Sequence, residues 1–227
     1  MPHGARVGLY YAPQEDDPLF AASESWLGRN PVSGAAAAQP DLPGIAGVTA
    51  DPGLYGFHAT LKPPFGFKTG VSWFDFVATV RAVARWIAPF DLPPLAVTDL
   101  RGFLALTETI PCAALQGLAD ACVAGLDDCR EPASADALAR RRRARLTDQQ
   151  DTMLERWGYP YVFETWTFHM TLTQRLGEAE KGFWFDAAKR HFAAAVAVPR
   201  RVTDICLFTQ PGPGVPFVIA ERIALRG

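Results

Sequence analysis

Two short segments of this chain carry the same polar pattern. Phe57-His58-Ala59-Thr60-Leu61 and Phe168-His169-Met170-Thr171-Leu172 agree at four of five positions, and their histidines lie 111 residues apart. Only four histidines occur in the chain, and two of them sit in this repeat. Along a β-strand, residues i and i+2 share a face about 6–7 Å apart. His58 with Thr60, and His169 with Thr171, would each form a polar face backed by apolar residues. Such a face can do acid–base chemistry on a phosphate ester. One neutral imidazole takes a proton from the attacking oxygen, and the other, protonated, gives one to the leaving oxygen. Imidazole suits both tasks because its ordinary pKa, about 6.5, lies near working pH, and each such transfer is worth about 10²- to 10⁴-fold. The threonine hydroxyls can hydrogen-bond the non-bridging oxygens. Neither histidine has an acidic or cysteine neighbour at a ligand spacing, and threonine is a poor ligand for the metals that histidine prefers. No metal or other cofactor is therefore expected. Lys62, at i+4 from His58, is a candidate phosphate contact on the same face, and Arg175 is a second. His3 and His191 lack matching neighbours and read as a terminal and a helix-surface residue.

The elements that must position these residues follow from the pattern. A strand is expected over Val7–Tyr11, then a helix over Pro18–Leu27 capped by Asp16 or Asp17. Residues 28–53 hold many glycines and prolines and read as a long flexible loop, either a flap or an insertion. A strand over Tyr55–Phe65 carries the first motif. Ser72 with Asp75 announces a helix whose stripe Trp73, Phe76, Val77, Val80, Val83, Ala84 and Ile87 ends at Pro89. Strands over Leu95–Leu100 and Phe103–Thr107 and a helix over about Ala113–Leu126 come next. Residues 133–157, within a helical insertion spanning 128–157, read as one helix. It bears the run Arg140, Arg141, Arg142, Arg143 and Arg145, a solvated basic face given the acids around it, with a phosphate or RNA contact as the second reading. A strand over Tyr161–Thr173 carries the second motif. A helix over Glu178–Val196 and strands over Arg201–Thr209 and Pro216–Leu225 complete the chain.

Composition sets the class. The 227 residues are 49% hydrophobic and 20% charged, with a formal net charge of −2. This excludes disordered and fibrous classes and argues against a bulk nucleic-acid coat or a polybasic membrane binder. The N-terminal MPHGARVGLYY lacks a charged segment leading into an apolar stretch and a cleavage site, so no signal peptide is expected. Cys112, Cys122, Cys129 and Cys206 form no C-x-x-C pair and read as reduced thiols of a cytoplasmic protein.

Two H-x-T motifs on strands, one per half, resemble the two-histidine (2H) phosphoesterase superfamily, which includes RNA ligase/cyclic phosphodiesterase-like proteins. The strings Tyr-Gly-Phe-His-Ala-Thr-Leu-Lys-Pro-Pro-Phe (55–65) and Thr-Phe-His-Met-Thr-Leu-Thr (167–173) look more like a branch encoded among bacterial phosphonate-utilisation genes. The resemblance implies an α+β fold in a single bilobal domain over 1–227. Its two pseudo-symmetric lobes would each be an antiparallel sheet with outer helices, around a central cleft. It also implies catalytic roles for His58 and His169, substrate-phosphate contacts from Thr60 and Thr171, and hydrolysis of a phosphodiester without metal. The expected partner is a small cyclic phosphate of a sugar or nucleotide, with no membrane. Hydrolysis or ligation of RNA 2′,3′-cyclic or 2′–5′ linkages is the alternative within the superfamily, and a non-catalytic phosphate- or RNA-binding module is the alternative outside it.

Overall fold

The computed structural model describes residues 4–227, so His3 lies outside the described residues. The chain is an α+β protein built on one seven-stranded antiparallel sheet. In chain order the elements are β1 (Arg6–Tyr11), α1 (Pro18–Leu27), α2 (Ile45–Val48), α3 (Ala50–Tyr55), β2 (Ala59–Phe65) and α4 (Trp73–Ala84). There follow β3 (Phe90–Leu92), β4 (Leu95–Asp99), β5 (Leu104–Glu108), α5 (Ala113–Gly125), α6 (Ala135–Arg142), α7 (Asp148–Trp157) and β6 (Met170–Thr171). The chain closes with α8 (Glu178–Val196), β7 (Arg200–Val202), β8 (Asp204–Gln210) and β9 (Val218–Ala224). The strand order is β4-β5-β6-β2-β1-β8-β9, and β3 pairs separately with β7.

The two motif strands are therefore neighbours inside a continuous sheet. The halves do not form lobes with a sheet each, because β2 and β6 hydrogen-bond directly through the pair Ala59 and Met170. The arrangement is nevertheless repeated about that pair: β1 flanks β2 as β5 flanks β6.

Alternation then sorts the two faces. Leu9, Phe57, Ala59, Leu61, Leu106, Phe168, Met170, Leu172 and Leu207 are all buried in one large core. Helices cover that face: α1 packs on α8, α5 on β2, α8 on β4, and α4 on α5 and β9. Local chemistry starts them where the pattern places them. Asp17 accepts from Leu19 N at the start of α1, and Ser72 with Asp75 closes a capping box on α4. The other sheet face carries the second residue set, Tyr10, His58, Thr60 and Thr171, with only a small aromatic cluster beside it.

Several expected elements are shorter. The first motif strand begins at Ala59, not Tyr55, because α3 runs to Tyr55 and ends at Gly56, whose φ of 78° is left-handed. The loop 28–53 thus contains α2 and most of α3, and Gln39 fastens it by donating to Trp26 O and Thr49 Oγ1. The second motif strand shrinks from 161–173 to two residues. Upstream, Thr165 Oγ1 accepts from Val162 N and a 3-10 turn forms at Phe163–Thr165. Downstream, the Thr173 hydroxyl takes the Leu104 N–H (3.0 Å) in place of a backbone carbonyl. The single helix expected over 133–157 is two helices, because Thr147 and Gln150 form a capping box that starts α7 afresh. Cys122, Cys129 and Cys206 are buried, Cys112 is partly so, and all four are unbridged. No helix of the described residues is long and apolar enough to cross a membrane.

Met170 is completely buried where the two motifs pair. Met170→Ala is expected to lower unfolding stability by about 2–5 kcal/mol, the range for cavity-forming core truncations, as read from urea midpoints.

Candidate active site

In an antiparallel pair, setting Ala59 opposite Met170 places His58 across from Thr171 and Thr60 across from His169. The four polar residues form a square, with the histidines on one diagonal. Regular pairing separates such diagonal neighbours by about 7–8 Å. All four line one cavity of roughly 320 Å³. A second cavity of roughly 430 Å³ adjoins it, sharing Tyr55, His169 and Thr171. Each half clamps the other here. Trp166 Nε1 donates to Thr60 O (2.7 Å), and Trp26 Nε1 donates to Leu172 O (2.9 Å).

The two histidines have different surroundings. The His58 ring stacks on Tyr10, with centroids 3.6 Å apart and 15° between planes. Tyr55 and Phe208 meet it at 5.7 and 5.3 Å. Tyr10 reaches this position because it pairs with Thr60 across β1 and β2. Its ring lies over Gly8, where any Cβ would overlap it. One edge of His58 remains open to the cavity, but its Nδ1 is enclosed without a hydrogen-bond partner. Burial pushes the imidazole down to about 3, and the neighbouring His169 pushes the same way. The carbonyls of Tyr55 and Gly56 oppose this, though neither closes a well-formed bond to Nδ1. His58 is thereby held neutral. His169 instead has Nδ1 2.9 Å from the Thr167 carbonyl oxygen. Nδ1 therefore carries the proton as donor, leaving Nε2 for the cavity. Phe103 packs edge-on to its ring at 5.9 Å. Burial also pushes the Tyr55 phenol up to about 12, against the pull of the Thr171 hydroxyl beside it, and raises Tyr10 further. Both phenols therefore stay protonated and able to donate.

Lys62 is not at this site. Its side chain is 2% exposed, donates to Val123 O on α5 (2.8 Å) and lies 3.7 Å from Asp127. A bulge is the cause. Tyr10 pairs with Thr60 but Leu9 pairs with Lys62, so Leu61 is an extra residue and Lys62 joins the core-side row of Leu9. Burial lowers its pKa to about 8. Arg175 does line the second cavity beside His169 and Thr171, with Nη1 donating to Arg101 O (2.6 Å). His191 is half-buried, its Nε2 2.8 Å from Ala22 O, and joins α8 to α1. Arg142 pairs with Asp151 and Glu155, as a solvated basic face would. Among the described residues no group of three or more His, Cys, Asp or Glu side chains is placed to hold a metal ion. The sequence reading missed Arg6, Tyr10, Tyr55 and Phe217, which also line the first cavity. The alternation of β1 already placed Arg6 and Tyr10 on a face opposite to Val7 and Leu9, and that was the available signal.

Residues 60–218 match a family described as protein of unknown function (DUF1045). The chain belongs to that family. Among curated relatives, this chain is 41% identical over 231 residues to a protein of Janthinobacterium sp. (strain Marseille), covering 98% of this chain and 51% of that one. It is 34% identical over 228 residues to a protein of Laribacter hongkongensis (strain HLHK9), covering 97% and 52%. Both relatives are named ribose 1,5-bisphosphate phosphokinase PhnN. This chain spans about half of their length.

Because His58 is depressed in the folded state, the unfolded chain binds one more proton between about pH 6.5 and pH 3. Its contribution to stability is whole above pH 6.5 and falls as the pH drops through that window. Urea midpoints of wild type and His58→Gln, measured from pH 7 to pH 4, should diverge, with the wild type losing more. Parallel curves would show that the ring is not held neutral.

Proposed function

We propose that this DUF1045 protein is a phosphodiesterase that opens a small cyclic phosphate by proton transfer between two histidines. The observation that carries the reading is the square of His58, Thr60, His169 and Thr171 on one wall of one cavity. Neutral His58 accepts a proton from water as its oxygen bonds to phosphorus. Protonated His169 gives its Nε2 proton to the departing ester oxygen as that P–O bond breaks. One water is added across one P–O bond, and solvent exchange resets both rings. Thr60 and Thr171 hold the non-bridging oxygens. Proton transfer is the economical choice here, since the polar neighbours of the histidines are threonines, which are poor metal ligands.

The names of the relatives point to sugar phosphates, and the resembled branch to phosphonate metabolism. We assign the phosphokinase activity in those names to the half of the relatives that this chain does not span, since no Gly-Lys-Ser or Gly-Lys-Thr phosphate loop occurs in its sequence. A ribose cyclic phosphate is accordingly the first substrate to try. RNA with a cyclic end is the comparison, disfavoured because Arg142 of the arginine run is neutralised by two carboxylates.

His58→Ala and His169→Ala should each lose at least about 10²–10⁴-fold in turnover of a ribose cyclic phosphate while retaining the wild-type fold by circular dichroism. Full activity in either variant would end the reading. A base held near pKa 3 in the free protein should rise once a phosphate anion sits beside it. The acid limb of kcat, which reports the complex, should therefore lie at higher pH than that of kcat/KM, which reports the free protein.

A further inference from the structure

The first cavity holds more positive charge than the motif chemistry uses. Arg6 enters it from β1. Its Nε and Nη2 both donate to Gln210 Oε1, at 2.9 and 2.5 Å. Gln210 is buried and is itself fixed by donating to Val215 O (2.7 Å). The guanidinium is also packed 5.6 Å from the Phe217 ring centre. One edge of the fork is thus locked, while Nη1 has no hydrogen-bond partner among the described residues. Among the described residues no carboxylate lies within ion-pair distance of Arg6, and no acidic side chain lines this cavity. An unneutralised guanidinium held in place by a buried amide is a prepared anion site, and the free Nη1 edge of Arg6 suits a phosphate monoester, which carries about −1.5 to −2 at neutral pH.

We propose that Arg6 forms a subsite for a second, terminal phosphate monoester on the molecule whose cyclic phosphate lies among His58, Thr60, His169 and Thr171. The substrate class is then a sugar phosphate bearing both a cyclic diester and a monoester. This rests on the phosphodiesterase reading for its second half only, since the subsite can be tested without turnover.

The test has two arms. Calorimetric titration with ribose 5-phosphate, which has a monoester and no diester, should show binding to the wild type and at least tenfold weaker binding to Arg6→Gln. Arg6→Lys should fall between, because an ammonium keeps the charge but cannot hold Gln210 Oε1 through two N–H groups while presenting a third to the phosphate. Absent binding to the wild type, or equal affinity in Arg6→Gln, would overturn the subsite. In the second arm, kcat/KM is compared for ribose cyclic phosphates with and without a 5-phosphate. The preference for the phosphorylated one should drop at least tenfold in Arg6→Gln, and an unchanged preference would also overturn the subsite. If the wild type turns over neither, the phosphodiesterase reading fails, and the titration still decides the subsite.

Discussion

The structure turns on a backbone contact, the pairing of β2 with β6 at Ala59 and Met170. It joins two segments that are remote in sequence and fixes which side chains of each face the other's. The apolar members of both motifs are driven to the helix-covered side by burial. The polar members then have nowhere to go but the opposite side. Two indole donors, one from each half, bind carbonyls on or beside the motifs of the other half and hold the strands at that offset. A slip of one residue would send histidine and threonine into the core and methionine and alanine into the cavity, so register is enforced by the whole apolar layer.

That layer also explains the division of labour between the faces. The long helices α1, α4, α5 and α8 lie on one side of the sheet, with the large core. Stability is concentrated there, and the open side is left to polar and aromatic residues. Lys62 marks the boundary. A bulge transfers it to the stable side, where its charge is partly suppressed and its ammonium serves a carbonyl of α5. Gly8 marks the boundary from the other direction, since its missing side chain is what lets Tyr10 lie flat and cover His58.

Much of this was legible in the amino-acid order. The repeated pentapeptide located the four cavity residues, and α1 and α4 could be placed from a cap and an apolar stripe. Other features depend on contacts that period and composition do not encode. The bulge at Leu61 is a property of how β2 meets β1, so alternation alone put Lys62 on the wrong face. The aromatic run before the second motif looked like a strand, yet side-chain hydroxyls of Thr165 and Thr173 cut the ladder short at both ends. The helix α3, hidden in a glycine- and proline-rich stretch, supplies Tyr55. The expectation of two separate sheets failed for a related reason. A repeat in sequence marks two matching segments, but not whether they join one sheet.

The square of motif residues is nearly unchanged by a half-turn about its centre, so by itself it offers a ligand two equivalent poses. Its surroundings remove that equivalence: three aromatic rings crowd one imidazole, while the other leans on a peptide oxygen. Directionality in this pocket is thus written in the wallpaper around the polar quartet. Exchanging the neighbours of the two rings, with the quartet left intact, is the route by which the same framework could be made to run its proton traffic backwards.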